Sequence, residues 1–293
     1  MVRRLAALLA SATTIALLPA AGAGSTTAPT IAFLSAQSGD FEVWTVRLDG
    51  TGIHRLTHTK GQDETPAWSP DGRRIAFRSF RTGWPKIWVM NADGSRPRRL
   101  TSGYSKDGSP IWTRDGSHIV YGSIPDPPRP GPGWWSMRSN GTHKRLLRPG
   151  YGSPPSWSPD GRHAVFSAIC GDGYSSCIYT SNANGSNRRQ IGEVGAGGTQ
   201  PAWSPDGRLI AWINGSELWV MNADGSQPRR LAPGPLPETY DDSPSWAPDG
   251  SRLVFGTNRS PSGLAVINRD GTGLAPVAVG VVRHGGQPAW RPQ

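Results

Sequence analysis

Five acidic residues stand just ahead of a recurring Pro-x-Trp pattern: Asp63 and Glu64, Asp107, and Asp241 and Asp242. Carboxylates brought together from separate segments can bind a hard cation, Ca2+ above all, or a basic peptide. Carboxylates that stay apart are solvated loop acids, and both readings stand. The histidines His118 and His163 each fall six residues after a repeat tryptophan, where other copies carry Arg74, Leu209 and Arg252. That is a solvent-facing strand position, better suited to surface residues than to metal ligands. No G-x-S-x-G nucleophile elbow, P-loop or dinucleotide fingerprint occurs. In "SPDGR" the Gly directly follows the Asp, unlike the Asp-box of sialidases. No cofactor is expected, with Ca2+ at the acids as the one candidate.

Cys170 and Cys177 are the two cysteines, and they flank "GDGYSS". Their spacing is not C-x-x-C, and in an oxidising compartment two close cysteines read as a structural disulfide. Closing so short a loop stabilises by roughly 2–3 kcal/mol.

The elements that must hold these residues come from a repeat. "PAWSPDGRRIAF" returns as "PIWTRDGSHIVY", "PSWSPDGRHAVF", "PAWSPDGRLIAW" and "PSWAPDGSRLVF", and breaks off as "PAWRPQ". Its tryptophans, Trp68, Trp112, Trp157, Trp203, Trp246 and Trp290, lie at intervals of 44, 45, 46, 43 and 44. Each copy reads as four short strands. "PAWS" is the first, and Pro-Asp-Gly turns the chain. "RRIAFRS" alternates as a half-buried strand does. "KIWVMNADGS" is a third strand with a Gly-closed turn, and "RPRRLT" is a fourth. A four-stranded unit cannot bury both faces alone, and a period in the forties is that of propeller blades.

The chain ends complement one another. Residues 30–57 hold strands two to four without a Pro-x-Trp strand before them, and residues 287–291, "QPAWR", are such a strand with nothing after it. The expected fold is all-β: a six-bladed β-propeller of four-stranded antiparallel blades over residues 30–293, closed by the C-terminal strand joining the N-terminal blade. The recurring Trp could be a stacking platform for a sugar or a base. Its presence in every copy favours a wedge between blades, and Trp157→Ala is then expected to cost roughly 3–5 kcal/mol.

The pattern "PxWSPDGxxIAFxS…IWVMNADGSxxRRLT" resembles the repeat of TolB-type β-propellers, relatives of WD-repeat propellers, over about residues 28–293. No counterpart of the TolB N-terminal α/β domain is expected in this chain. The resemblance is specific for fold and implies, for function, an extracytoplasmic propeller that binds a protein. Other TolB-like propellers are fused to serine peptidases or are metal-dependent lyases of pectate fragments.

Residues 1–23 read as a signal peptide: Arg3-Arg4, an apolar run from Leu5 to Ala20, and an A-x-A site at 21–23. Residues 24–29 form a short linker. The run is short and broken by Ser, Thr and Pro, so no transmembrane segment is expected in the mature chain. The protein is expected to be exported, periplasmic or secreted, and monomeric. Its formal charge is +10, but the arginine pairs fall in fourth strands around the circumference. There they guard sheet edges and make no single groove, so nucleic acid is not an expected partner. The leading function is a non-enzymatic scaffold binding an envelope or extracellular protein, peptide or glycan. Its ligand site is the channel mouth, made of Asp63, Glu64, Asp107, Asp241 and Asp242. Trp134, exposed beside the Pro-rich stretch 123–135, joins them. The competing function is a metal-assisted carbohydrate lyase or hydrolase.

Overall fold

The Pro-Asp-Gly turns close as their chemistry dictates. The Gly72 N–H donates to the Ser69 carbonyl at 2.8 Å, with Gly72 in the left-handed region (φ 63°). The Ser69 hydroxyl donates to Asp71 at 2.5 Å. Each such turn delivers the chain into a second strand whose apolar residues are almost wholly buried, as in Ile75-Ala76-Phe77. The computed structural model describes residues 29–126, 131–149, 155–171, 173–192, 197–232, 240–259, 263–279 and 286–292. The expected signal peptide, most of the linker, residues 127–130 of the Pro-rich stretch and His284 lie outside them.

Six four-stranded antiparallel sheets form the ring. We number five complete blades in chain order: blade 1 spans residues 63–99, blade 2 106–149, blade 3 156–190, blade 4 198–230 and blade 5 241–279. The sixth is composite. Its outer strands are Thr30–Ser35, Glu42–Arg47 and His54–Arg55, and its innermost strand is Ala289–Trp290. Ile31 pairs with Trp290 and Ala32 with Ala289. The Arg291 N–H donates to the Thr30 carbonyl at 2.8 Å. The tail therefore closes the ring as expected. Because strand direction alternates, the loops entering the innermost strands and the hairpins joining strands two and three emerge on one face. The Pro-Asp-Gly and Asp/Asn-Gly turns emerge on the other.

Blades meet through recurring contacts. The indole N–H groups of Trp68, Trp112, Trp246 and Trp290 donate to backbone carbonyls of the preceding blade: Ala289, Ala67, Ala202 and Ser245, at 2.9–3.1 Å. Six residues after each Asp/Asn-Gly glycine stands an aliphatic residue: Leu56, Leu100, Leu147, Ile191, Leu231 or Val277. Five of them abut the turn glycine of the next blade, as where the Leu56 carbonyl lies 2.7 Å from the place of a Gly94 Cβ. Only glycine permits that approach.

The seam between blades 2 and 3 departs from this pattern. Among the described residues nothing lies within 4 Å of the places a Cβ would take on Gly161 or Gly185, the two turn glycines of blade 3. Trp157 is half-buried, and its Nε1 has no hydrogen-bond partner among the described residues. Trp203 Nε1 also lacks one. The seam is held shut elsewhere by Val120 and Trp134 of blade 2 against Phe166, Ala168 and Tyr179 of blade 3. Trp134 meets Phe166 edge-on at 4.9 Å. It is 6% exposed, which corrects the expectation of an exposed ring.

Candidate functional site: the channel mouth

The innermost strands of blades 1, 2, 4 and 5 each carry a β-bulge just before the Pro-x-Trp phrase. The residue before the proline is left-handed: Thr65, Ser109, Gln200, Ser243 and Gln287 have φ of 50°, 49°, 53°, 47° and 35°. Non-glycine residues in this region store backbone strain of about 1–3 kcal/mol each. Its repetition makes it part of the architecture. These five residues form an uncharged polar collar in a central cavity of about 450 Å3, whose walls are the prolines and tryptophans of the repeat. Two collar glutamines reach across seams. The Thr65 N–H donates to Gln287 Oε1 at 3.1 Å, and the Ser243 N–H to Gln200 Oε1 at 2.8 Å.

The bulge sends the preceding acids away from the channel and into the blades. Asp63, Asp107 and Asp241 are each no more than 2% exposed. Asp241 takes a two-pronged ion pair from Arg259, at 2.9 Å from Nε and 2.7 Å from Nη2, and a hydrogen bond from Thr257. Asp63 pairs with Arg81 at 2.8 Å. Asp107 accepts from Ser123 at 2.6 Å and Ser105 at 3.0 Å, and its cation is Lys86 of blade 1, at 3.6 Å. The expected convergence of these three carboxylates on the channel mouth is corrected accordingly: each is buried beside a cation, with Asp63 Oδ1 left without a hydrogen-bond partner among the described residues. Glu64 pairs with Arg78 at 3.3 Å, within blade 1.

Asp242 differs. Its Oδ1 is buried with no hydrogen-bond partner among the described residues, packed over Gly256 and Gly286 where side chains are absent. Burial, reinforced by the Asp241 charge, raises its carboxyl to about 6. Backbone N–H groups of Gln287 and Gly256 offset part of this. Among the described residues no three His, Cys, Asp or Glu side chains are grouped to hold a metal.

Sequence reasoning missed the partners of the acids. The signal was present: Ser123 and Thr257 lie sixteen residues after Asp107 and Asp241, and Arg81 and Arg259 lie eighteen after Asp63 and Asp241. Blade 2 has Pro125 in place of that arginine, and Lys86 of the neighbouring blade supplies the charge. Glu42 was also missed. It is fully buried, pairs with Arg55 at 2.6 Å and accepts from the Thr57 hydroxyl. Burial still raises its pKa. Cys170 and Cys177 form the expected disulfide on the hairpin between strands two and three of blade 3. Hydrophobic side chains are exposed on the same face as the channel mouth, across blades 1 to 3: Trp84, Tyr104, Ile124, Ile169 and Tyr174, the last 97% exposed.

The fold has known counterparts. TolB from Acinetobacter baumannii superposes with a TM-score of 0.75 at 22% identity, over 90% of this chain and 67% of that one. The hydrazine synthase of Kuenenia stuttgartiensis gives 0.74 at 17%, over 92% of this chain and 48% of that one. The tricorn protease gives 0.64 at 16%, over 86% of this chain and 26% of that one. The chain thus spans about two thirds, one half and one quarter of these structures. No curated protein matches it. The family described as Tricorn protease N-terminal beta propeller domain matches residues 25–174, just over half of the sequence, and the chain belongs to that family.

Proposed function

We propose that this propeller is an exported, non-enzymatic scaffold that binds a protein, peptide or glycan on the face where the channel mouth opens. The observation that carries the reading is the exposed apolar set on three consecutive blades, Trp84, Tyr104, Ile124, Ile169 and Tyr174, beside the uncharged collar. Apolar side chains presented together mark interaction surfaces, and aromatic anchors dominate binding energy. Of the three partner classes, such a face suits a protein surface best. Three of the acids ahead of the Pro-x-Trp phrases, Asp63, Asp107 and Asp241, are consumed by Arg81, Lys86 and Arg259, which favours recognition by shape. The basic, apolar N-terminal segment and the disulfide support a location outside the cytoplasm.

The test is a comparative capture from envelope and secreted fractions. Wild-type protein and a Trp84→Asp/Tyr104→Asp/Tyr174→Asp variant serve as baits. A partner retained by the first and lost by the second, at equal melting temperature, supports the reading. Identical captures by both baits would sink it.

A further inference from the structure

We propose that Arg148 and Arg188, on the outer rim of the seam between blades 2 and 3, form a binding site for a dianionic tetrahedral oxyanion, either inorganic phosphate or the terminal phosphate of a larger molecule. Arg148 lies in the outermost strand of blade 2, Arg145–Pro149, and Arg188 directly precedes that of blade 3, Arg189–Gln190. The site uses none of the residues of the apolar face proposed above for partner binding.

Both arginines depart from the repeat, so neither is needed to build a blade. Arg148 stands seven positions after its turn glycine, where the other copies carry Thr57, Thr101, Gly192, Ala232 and Ala278. Two of those, Thr57 and Thr101, accept a strand N–H of their own blade. Arg188 stands three positions after its turn glycine, where the others carry Ile53, Pro97, Lys144, Pro228 and Leu274. Of the six seams, this one alone sets a cation from each side at these two positions.

Aromatic rings hold the two side chains. The Arg148 guanidinium lies 5.3 Å from the Trp134 ring centre and 4.7 Å from that of Phe166. That of Arg188 lies 3.7 Å from the Tyr179 ring centre and 5.8 Å from the same Phe166. Stacking engages the flat face of a guanidinium, whereas its five N–H donors lie in its plane. Neither arginine makes a hydrogen bond or an ion pair among the described residues. The rings therefore fix the donors without spending them, which reduces the entropy lost when an anion binds.

The pair also lacks a counter-charge among the described residues. Arg148 is half-buried, and burial together with the Arg188 charge lowers its pKa, opposed only by the Tyr179 side chain. No carboxylate acts on it, those of Asp115 and Asp160 in the same seam included. Cations drawn out of water are ordinarily paired, as Arg81 is with Asp63 and Arg259 with Asp241. Two guanidinium groups that stay charged at any physiological pH match an anion of charge near −2. A phosphate carries about that charge at pH 7 and has at least three oxygens, enough to take both forks. A carboxylate has one charge and two oxygens, and satisfies one fork.

The test follows the arginine Nε–H signals of the full chain by NMR while sodium phosphate is titrated at neutral pH and constant ionic strength. Saturable shifts are expected at Arg148 and Arg188. Sodium acetate should bind at least tenfold more weakly. Arg188→Gln, at an exposed position, should weaken phosphate binding at least tenfold at unchanged melting temperature. Arg148→Lys, which keeps the charge and loses the fork, should weaken it too. Glycerol 1-phosphate separates the sources: tighter binding than inorganic phosphate assigns the site to a phosphate carried by a larger molecule, and no gain assigns it to the free ion. Absence of a saturable shift, equal affinity for acetate, or the same response at the outer-strand pairs Arg98-Arg99 and Arg229-Arg230 would overturn the proposal.

Discussion

Lys86 of blade 1 and Asp107 of blade 2 lie 3.6 Å apart, each 2% exposed, so an ion pair crosses a seam with both charges out of water. Lys86 also donates to the Ser105 carbonyl and hydroxyl. Burial lowers the lysine pKa against the pull of Asp107. Lys86→Met leaves a buried carboxylate without its cation, and should cost about 3–5 kcal/mol. Urea denaturation of both single variants and the double variant Lys86→Met/Asp107→Asn measures the coupling. A double variant as unstable as the two singles combined would show that the pair does not act as a unit.

Asp242 makes stability depend on pH in an unusual direction. Its folded carboxyl titrates at about 6, above the ordinary 3.8, so between these values the folded state holds more protons than the unfolded. This contribution is fully present below about pH 4 and is lost as pH rises through 6. At about 1.4 kcal/mol per pKa unit the loss is on the order of 2–3 kcal/mol. Asp242→Asn should therefore gain stability relative to wild type as pH rises from 4 to 7. A flat difference between their urea midpoints over that range would contradict the assignment.

The inter-blade tryptophans should not be equivalent. Trp112 is 7% exposed and bonded to the Ala67 carbonyl, so Trp112→Ala should cost about 3–5 kcal/mol. Trp157, half-buried beside the open seam, should cost clearly less, which revises the sequence-based expectation for that position. Trp112→Phe should lose roughly 1 kcal/mol for its hydrogen bond, with Trp157→Phe near neutral. Equal losses at the two sites, by thermal or chemical melting, would mean that the seam is closed in solution.

The disulfide closes a loop of sequence separation 7. Replacing both cysteines by serine should lower stability by roughly 2–3 kcal/mol. The effect should vanish when wild type and variant are compared under a reductant.

Ring closure was legible because the interrupted phrase at residue 290 supplies the strand that residues 30–57 lack. The arginine pairs were legible as outer-edge residues for the same reason: position within the repeat fixes position within the blade. Trp134 was not. Its exposure was inferred from neighbouring prolines, whereas Phe166, 32 positions away on the next blade, covers it. The acids were misplaced because they were read as loop residues leading into the Pro-x-Trp strands, whereas the innermost strands already begin at Asp63, Lys106 and Asp241, ahead of Thr65, Ser109 and Ser243. There a left-handed residue before proline creates a bulge and turns the chain.

The amino-acid sequence by itself determined the strand unit, the number of blades, their closure and the cysteine pairing. Each of these follows from turn chemistry and periodicity acting within one copy, or from counting copies. Only the tertiary structure decided which carboxylates are consumed, which tryptophans find an acceptor and which seam stays open. Those outcomes depend on distances between blades, which no single copy of the repeat encodes.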